Sequence, residues 1–397
     1  MYFKTKNKSE CCGCTACIHS CPVSAISFVE DEEEFMYPEI NQDVCINCGL
    51  CERVCPFEHP DYRNDANPVV YASMLKDKAE RKNSSSGGLF YALAKLTIER
   101  KGIVYGATLD NQLNVIHIGV EKMSDLGILR GSKYVQSDLN NVFVEIRNNL
   151  KSGRWVYFVG TGCQVAGLKS FLRKDYPTLI TSDLVCHGVP SQKLFNKHIE
   201  FLEKKYHGKV ADYKFRDNAN WGVCEMFHLT NPKGNSKLIR NSSYELSPYL
   251  YSFMYAFTYR YSCYNCKFAR IPRQGDITLA DYWECQRFFP QIDFSKGVSL
   301  ILLNNSKGHE IWNLIKDNVE SYTSTLEDGA KYNANLVHAT KMPRIRESIY
   351  ERIDKEGYLR IAETEFRSPK YVWYCFRNQL EKIGVLQYLK KFKKFFF

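Results

Sequence analysis

Long apolar runs are what this sequence has least of. The longest, such as Val298–Leu303, fall far short of the roughly 18 residues a membrane-spanning helix needs, so no transmembrane segment is expected. Residues Met1–Glu10 are polar and basic with no apolar stretch, so no secretory signal is expected either. No basic segment interleaved with aromatics forms a recognition motif, which argues against a nucleic-acid partner. Apolar residues make up 44% of the chain and charged residues 25%, ordinary values for a globular protein, so disorder is not expected. A cytoplasmic, reducing location follows as the expectation. There, sixteen cysteines point to metal ligation rather than disulfides.

Nine of those cysteines lie between Cys11 and Pro56. The order Cys11-Cys12-Gly13-Cys14-Thr15-Ala16-Cys17-Ile18-His19-Ser20-Cys21-Pro22 is repeated as Cys45-Ile46-Asn47-Cys48-Gly49-Leu50-Cys51-Glu52-Arg53-Val54-Cys55-Pro56. Each half is a C-x2-C-x2-C-x3-C-P run, the spacing by which bacterial-type ferredoxins hold [4Fe–4S] clusters, with the fourth cysteine of each run crossing to the other cluster. The spacing therefore assigns one cluster to Cys11, Cys14, Cys17 and Cys55, and a second to Cys45, Cys48, Cys51 and Cys21. Zinc knuckles use two cysteine pairs rather than this repeated pattern. Cys12 is left over and reads as a bystander thiol.

Charge is unevenly spread. Residues 1–66 hold twelve Asp/Glu against five Lys/Arg, although the chain as a whole carries +10. An acidic N-terminal module beside a basic body suggests complementary charge between them, and a basic body suits an anionic cofactor or substrate. The expected division is a 2[4Fe–4S] domain over residues 1–60, a linker rich in turn formers over 61–70, a large domain over 71–320, and a helical extension over 321–397. That extension ends in Leu389-Lys390-Lys391-Phe392-Lys393-Lys394-Phe395-Phe396-Phe397, a basic aromatic tail suited either to peripheral contact with an anionic membrane or to docking on the body.

Within the large domain, strand and helix patterns alternate. Val69–Met74, Gly102–Leu109, Val115–Val120, Trp155–Val159 and Leu179–Cys186 read as strands. Phe143–Leu150, a segment from the 160s to about Lys174, and Ser191–Tyr206 read as helices. The order argues for an α/β core. Tyr213–Leu238 is β-rich, Pro248–Tyr259 is aromatic and helical, and Asp276–Ala280 and Val298–Leu303 add strands.

Seven cysteines lie beyond the N-terminal module. Cys163 and Cys186 each end an expected strand, the edge at which open α/β sheets bind ligands, and Cys263 and Cys266 form a C-x2-C pair. Spacing alone leaves three readings of these four: a third cluster, a zinc site, or buried free thiols. Cys224, Cys285 and Cys375 have no partner by spacing and read as structural. Ser84-Ser85-Ser86-Gly87-Gly88, opening a helix, is either a phosphate cradle or a plain helix start, since it is neither a G-x-G-x-x-G nor a Walker A pattern.

Six blocks taken together resemble the beta subunits of coenzyme F420 hydrogenases and dehydrogenases. They are Ser85-Ser86-Gly87-Gly88, Gly131-Ser132-Lys133-Tyr134-Val135-Gln136-Ser137, the stretch Phe158 to Leu168 around Gly160-Thr161-Gly162-Cys163-Gln164, Cys186-His187-Gly188-Val189-Pro190-Ser191, Cys263-x2-Cys266, and Gly275 to Trp283. The likeness runs from about residue 68 to 300. It implies an α+β ferredoxin-like dicluster domain followed by an α/β flavin-binding domain, and an FAD and iron–sulfur oxidoreductase that passes electrons between clusters and an organic hydride acceptor. It further implies a third cluster at Cys163, Cys186, Cys263 and Cys266, an FAD pyrophosphate contact at Ser85, Ser86, Gly87 and Gly88, and flavin neighbours in Lys133, Tyr134, Thr161 and Gln164. The expected partners are ferredoxin or a redox partner subunit, and an organic substrate. Use of coenzyme F420 itself, or an electron-wiring role without flavin, are the rival expectations. In the family a proline usually precedes the loop cysteine, where this chain has Gly162.

Overall fold

A computed structural model of the protein describes residues 1–217 and 221–382, with Asp217, Glu381 and Lys382 described by backbone alone. The basic aromatic tail at 389–397 lies outside the described residues. The strands, in chain order, are β1 (Ile26–Glu30), β2 (Met36–Ile40), β3 (Val69–Leu75), β4 (Ile103–Leu109), β5 (Val115–Val120), β6 (Val156–Thr161), β7 (Leu179–Leu184), β8 (Lys209–Asp217), β9 (Gly222–Thr230), β10 (Ser236–Asn241), β11 (Ile277–Asp281), β12 (Ser299–Leu303) and β13 (Val319–Ser324). Of the described residues, 1–192, 221 and 259–342 form one compact unit, and 193–217, 222–258 and 343–382 form another.

The first unit is built on an eight-stranded sheet of order β13-β3-β12-β11-β7-β6-β4-β5. Its middle strands β4, β6, β7 and β11 run parallel, each to the next. The strands flanking them pair antiparallel. The α/β expectation therefore holds as a mixed α/β protein with a large mixed sheet. Every residue of β12 is buried, which is why it reads as a near-continuous apolar run rather than an alternating one. The first five residues of β7 are buried too, its polar Thr181, Ser182 and Asp183 included. Helices Leu89–Glu99, Val142–Lys151 and Gly162–Leu172 supply the apolar cover.

The cysteine-rich N-terminal module belongs to this same unit. It contains the hairpin β1–β2, with Ile26 opposite Ile40, and the short helices Ala16–Ser20 and Leu50–Arg53. Its Cys14, Ala16 and Val54 share one buried apolar cluster with Phe143, Ile146, Val165, Leu168 and Phe171 of the body. Hydrophobic packing therefore joins the module to the body.

The second unit holds the antiparallel sheet β10-β9-β8. Its core is organised around Glu225, which is fully buried. The Glu225 carboxylate accepts from Tyr213 Oη at 2.8 Å, Ser247 Oγ at 2.7 Å and Asn241 Nδ2 at 2.7 Å, and meets His198 Nε2 at 2.6 Å. With three of these partners on Oε1 and Asn241 on Oε2, burial of the carboxylate is compensated. The His198 contact and these donors hold it below the usual carboxylate range despite burial.

Candidate functional site

The two halves of the module repeat in backbone as well as in sequence. The residue before the second cysteine of each run is left-handed, Gly13 at φ 70° and Asn47 at φ 53°. The residue after it is left-handed too, Thr15 at φ 65° and Gly49 at φ 67°. In each half the third cysteine then sits in a short helix. Two loops of the same unusual conformation curl the chain around two like centres.

Members of the first assigned set lie close to one another. Cys17 lies within electrostatic reach of Cys11, Cys55 and Cys51, and Cys14 within reach of Cys17 and Cys55. Burial, then these neighbours, push the Cys17 thiol well above its ordinary range. Cys21 Sγ and Cys45 Sγ accept backbone N–H groups from Ala25 at 3.2 Å and Asn47 at 3.4 Å, the kind of bond that stabilises a ligating thiolate.

The other four cysteines converge from separate chain segments. Cys163 lies in the first turn of the helix that follows β6, and Cys186 just beyond the end of β7, its parallel neighbour. Cys263 sits in the 3-10 turn Tyr261–Asn265, and Cys266 directly follows that turn. Cys263 is within electrostatic reach of Cys186, Cys266 and Cys163. Burial and these neighbours push Cys186 up to about 12, and burial with Cys163 pushes Cys266 up to about 11. Four crowded thiols resist becoming anions together unless a cationic metal centre stands among them.

Arg273 locks this arrangement. Its Nη2 meets the Asp183 carboxylate at 2.7 Å, both side chains being almost wholly buried. It also donates to Leu184 O at 3.0 Å, at the end of the strand before Cys186, and to Phe268 O at 2.9 Å, just after Cys266. Thr278 Oγ1 donates to the other Asp183 oxygen at 2.7 Å. Gly162 has its own packing reason: a Cβ there would lie 3.0 Å from Phe268 Cβ, so glycine lets the Cys266 loop close on the helix start.

Cys12 stands between the two sets, its thiol within electrostatic reach of both Cys14 and Cys163. Cys12, Cys55, Cys163 and Cys266 pack around Phe57, Ala166 and Phe268. Neither spacing nor periodicity singles out Cys12, Arg273 or Asp183.

Segment 131–137 ties the remaining predicted residues together. Ser132 N–H donates to Ser85 Oγ at 3.2 Å, and Gln164 Nε2 donates to Ser137 Oγ at 2.9 Å. Gln136 Nε2 donates to Cys12 O at 3.3 Å. Thr161 N–H donates to Gln164 Oε1 at 2.9 Å, and Thr161 Oγ1 lies 3.0 Å from Cys163 Sγ. Half-buried Lys133 donates to Ile128 O and Arg130 O, and burial pushes its ammonium down to about 7. Tyr134 lies near Tyr259. In the serine turn, Ser86 Oγ donates to Val298 O and Gly87 N–H to Ser299 Oγ, so these two are engaged by the start of β12 and the residue before it. Gly88, at φ 92°, begins the helix Leu89–Glu99, whose first turn no side chain caps among the described residues. That helix end keeps backbone N–H groups for an anion.

The donor sets fit the groups expected. Eight thiols in two repeats and four more in one cage are the chemistry of iron–sulfur ligation, and a serine turn at an uncapped helix start suits a pyrophosphate. Among the described residues no three His, Cys, Asp or Glu side chains gather around a single metal ion. A cavity of about 290 Å³ lined by Lys169, Asp276 and Lys307 lies at the Leu179 end of β7, opposite the cysteine edge.

Fold and site thus define a mixed α/β electron-transfer protein carrying an N-terminal iron–sulfur domain. Residues 10–59 match the 4Fe-4S dicluster domain, and residues 153–328 match the family described as the C-terminal part of the coenzyme F420 hydrogenase/dehydrogenase beta subunit. Over those two segments the chain is similar to these families, with the dicluster match in front. A chain of the F420-reducing nickel–iron hydrogenase complex from Methanosarcina barkeri is 17% identical at a TM-score of 0.44, the match covering 73% of this chain and 93% of that one. No curated protein sequence matches significantly. Among the described residues no helix is long and apolar enough to cross a membrane.

Proposed function

We propose that this protein is an iron–sulfur flavoprotein oxidoreductase that passes electrons between a ferredoxin-type donor or partner subunit and an organic substrate. The observation that carries the reading is the gathering of Cys163, Cys186, Cys263 and Cys266 from three chain segments, with Cys12 packed beside Cys55, Cys163 and Cys266. When bound, three clusters would carry electrons singly and an FAD would exchange them in pairs with the substrate. The chain's own residues bind and orient. The twelve cysteines hold the clusters, Ser85 and the Gly88 helix start meet the pyrophosphate, and Lys133, Tyr134, Thr161 and Gln164 border the flavin. Shared apolar packing keeps water from the gap between the cysteine sets.

A second reading, a coenzyme F420-dependent beta subunit, is supported by the match of residues 153–328 to the coenzyme F420 hydrogenase/dehydrogenase beta-subunit family. Anaerobic purification with iron, sulfide and flavin quantified per chain tests the first reading. About twelve irons and one FAD are expected, and Cys163→Ser should leave about eight irons. Deazaflavin in place of FAD, or reduction of added deazaflavin, would favour the second. Colourless protein without iron or flavin would end both.

A further inference from the structure

Arg260 is buried to 0% exposure, where an ionised group lacking a counter-charge is strongly unfavourable. Its Nε donates to Cys11 O at 2.7 Å, Nη1 to Gln136 Oε1 at 3.2 Å and Nη2 to Met36 O at 2.9 Å. The Tyr37 ring centroid lies 4.0 Å from the guanidinium carbon and that of Phe35 5.5 Å. Each of the three nitrogens thus has a partner, yet each of these acceptors is a neutral oxygen. The groups within its electrostatic reach that can become anionic include Cys11, Cys12 and Cys263. Cys11 belongs to the first N-terminal set and Cys263 to the core set, so one cation stands beside two of the three cysteine cages.

We propose that Arg260 is a shared positioning and charge-balancing residue. It holds the Cys11 loop against the body and raises the reduction potentials of the two clusters bound by Cys11, Cys14, Cys17 and Cys55, and by Cys163, Cys186, Cys263 and Cys266. The inference rests on the cluster reading given under the proposed function. Reduction adds one electron to a cluster, and a fixed cation nearby stabilises that added negative charge. Electrons would therefore settle on the two inner clusters in preference to the outer one, held by Cys21, Cys45, Cys48 and Cys51.

The test is a redox titration of the full chain, purified anaerobically and followed by cluster-resolved electron paramagnetic resonance. Arg260→Gln should lower the potentials of the two inner clusters by about 59 mV, a tenfold change in a one-electron equilibrium. The outer cluster should stay unmoved, and Arg260→Lys should restore most of the shift. Wild-type potentials in an iron-replete Arg260→Gln protein would overturn the proposal. Should that variant fail to fold, Gln136→Glu places a carboxylate against Nη1 and balances the charge without removing it. The same lowering is expected there, and an unchanged potential again overturns the proposal. Iron content separates the two failures: about eight irons per wild-type chain would remove the core cluster and its reading, while the Cys11 cluster still tests Arg260.

Discussion

Gly167 offers a direct test of how closely the cysteine module is seated. It lies buried within the helix Gly162–Leu172, and a Cβ built there would meet Cys14 Cβ at 2.7 Å, Cys14 Sγ at 3.0 Å and Cys14 O at 3.2 Å. Carbon atoms pack comfortably at roughly 3.5–4.0 Å, so Gly167→Ala demands a displacement of about 1 Å. The atoms in the way belong to a backbone and to a ligand side chain, not to a flexible tip. Overpacking of this kind costs about 1–3 kcal/mol, against a gain of up to ~1 kcal/mol for alanine over glycine within a helix. The sign of the change decides the matter. Gly127, with nothing within 4 Å of its Cβ position, is the control and should accept alanine without loss. Denaturant midpoints of the two variants, with iron content and the spectrum of the Cys11 cluster, make the comparison. The reasoning is refuted if Gly167→Ala matches or exceeds the parent in stability with its cluster signals unchanged.

Two further outcomes are expected. Asp183→Asn leaves the buried Arg273 guanidinium without its counter-charge, a loss of about 3–5 kcal/mol. It should also lower the iron bound at the core cysteines while sparing the N-terminal clusters, as iron analysis beside spectra of each cluster would reveal. His117 is buried, its Nδ1 has no hydrogen-bond partner among the described residues, and burial pushes its imidazole down to about 4 from 6.5. Because the folded state holds it neutral, its contribution is intact above pH 6.5 and is lost as pH falls toward 4, by about 2 kcal/mol at pH 5. His117→Phe should flatten that acid limb in denaturation series run from pH 7 to pH 5; parallel limbs for the two proteins would contradict it.

Much of the fold was legible because burial leaves a pattern. The runs at Leu179–Cys186 and Val298–Leu303 read as strands since both faces of β7 and β12 are covered. Strand direction left no such mark, so the antiparallel pairing of β12 and β3 inside an α/β sheet was not foreseeable. The spacing repeat located the N-terminal cysteines because each short loop confines its own thiols. Cys12 and Arg260 escaped notice for the opposite reason: their significance arises from neighbours more than a hundred residues away, Cys163 for one, Cys11 and Met36 for the other. Gly87 shows a third limit. Part of a glycine pair that suggested phosphate binding, it also sits where a Cβ would come within 2.2 Å of Ser73 O, and sequence cannot separate the two demands.

The twin loops of the module bear on its ancestry. An internal duplication would leave both copies with the same backbone shape, yet their freedom to drift now differs. At the inner loop, any side chain replacing Gly13 would lie 2.7 Å from Gln136 Nε2. At the outer loop the same conformation is borne by exposed Asn47. Side-chain changes should therefore be borne more readily in the solvent-facing copy around Cys45–Cys51 than in the docked copy around Gly13.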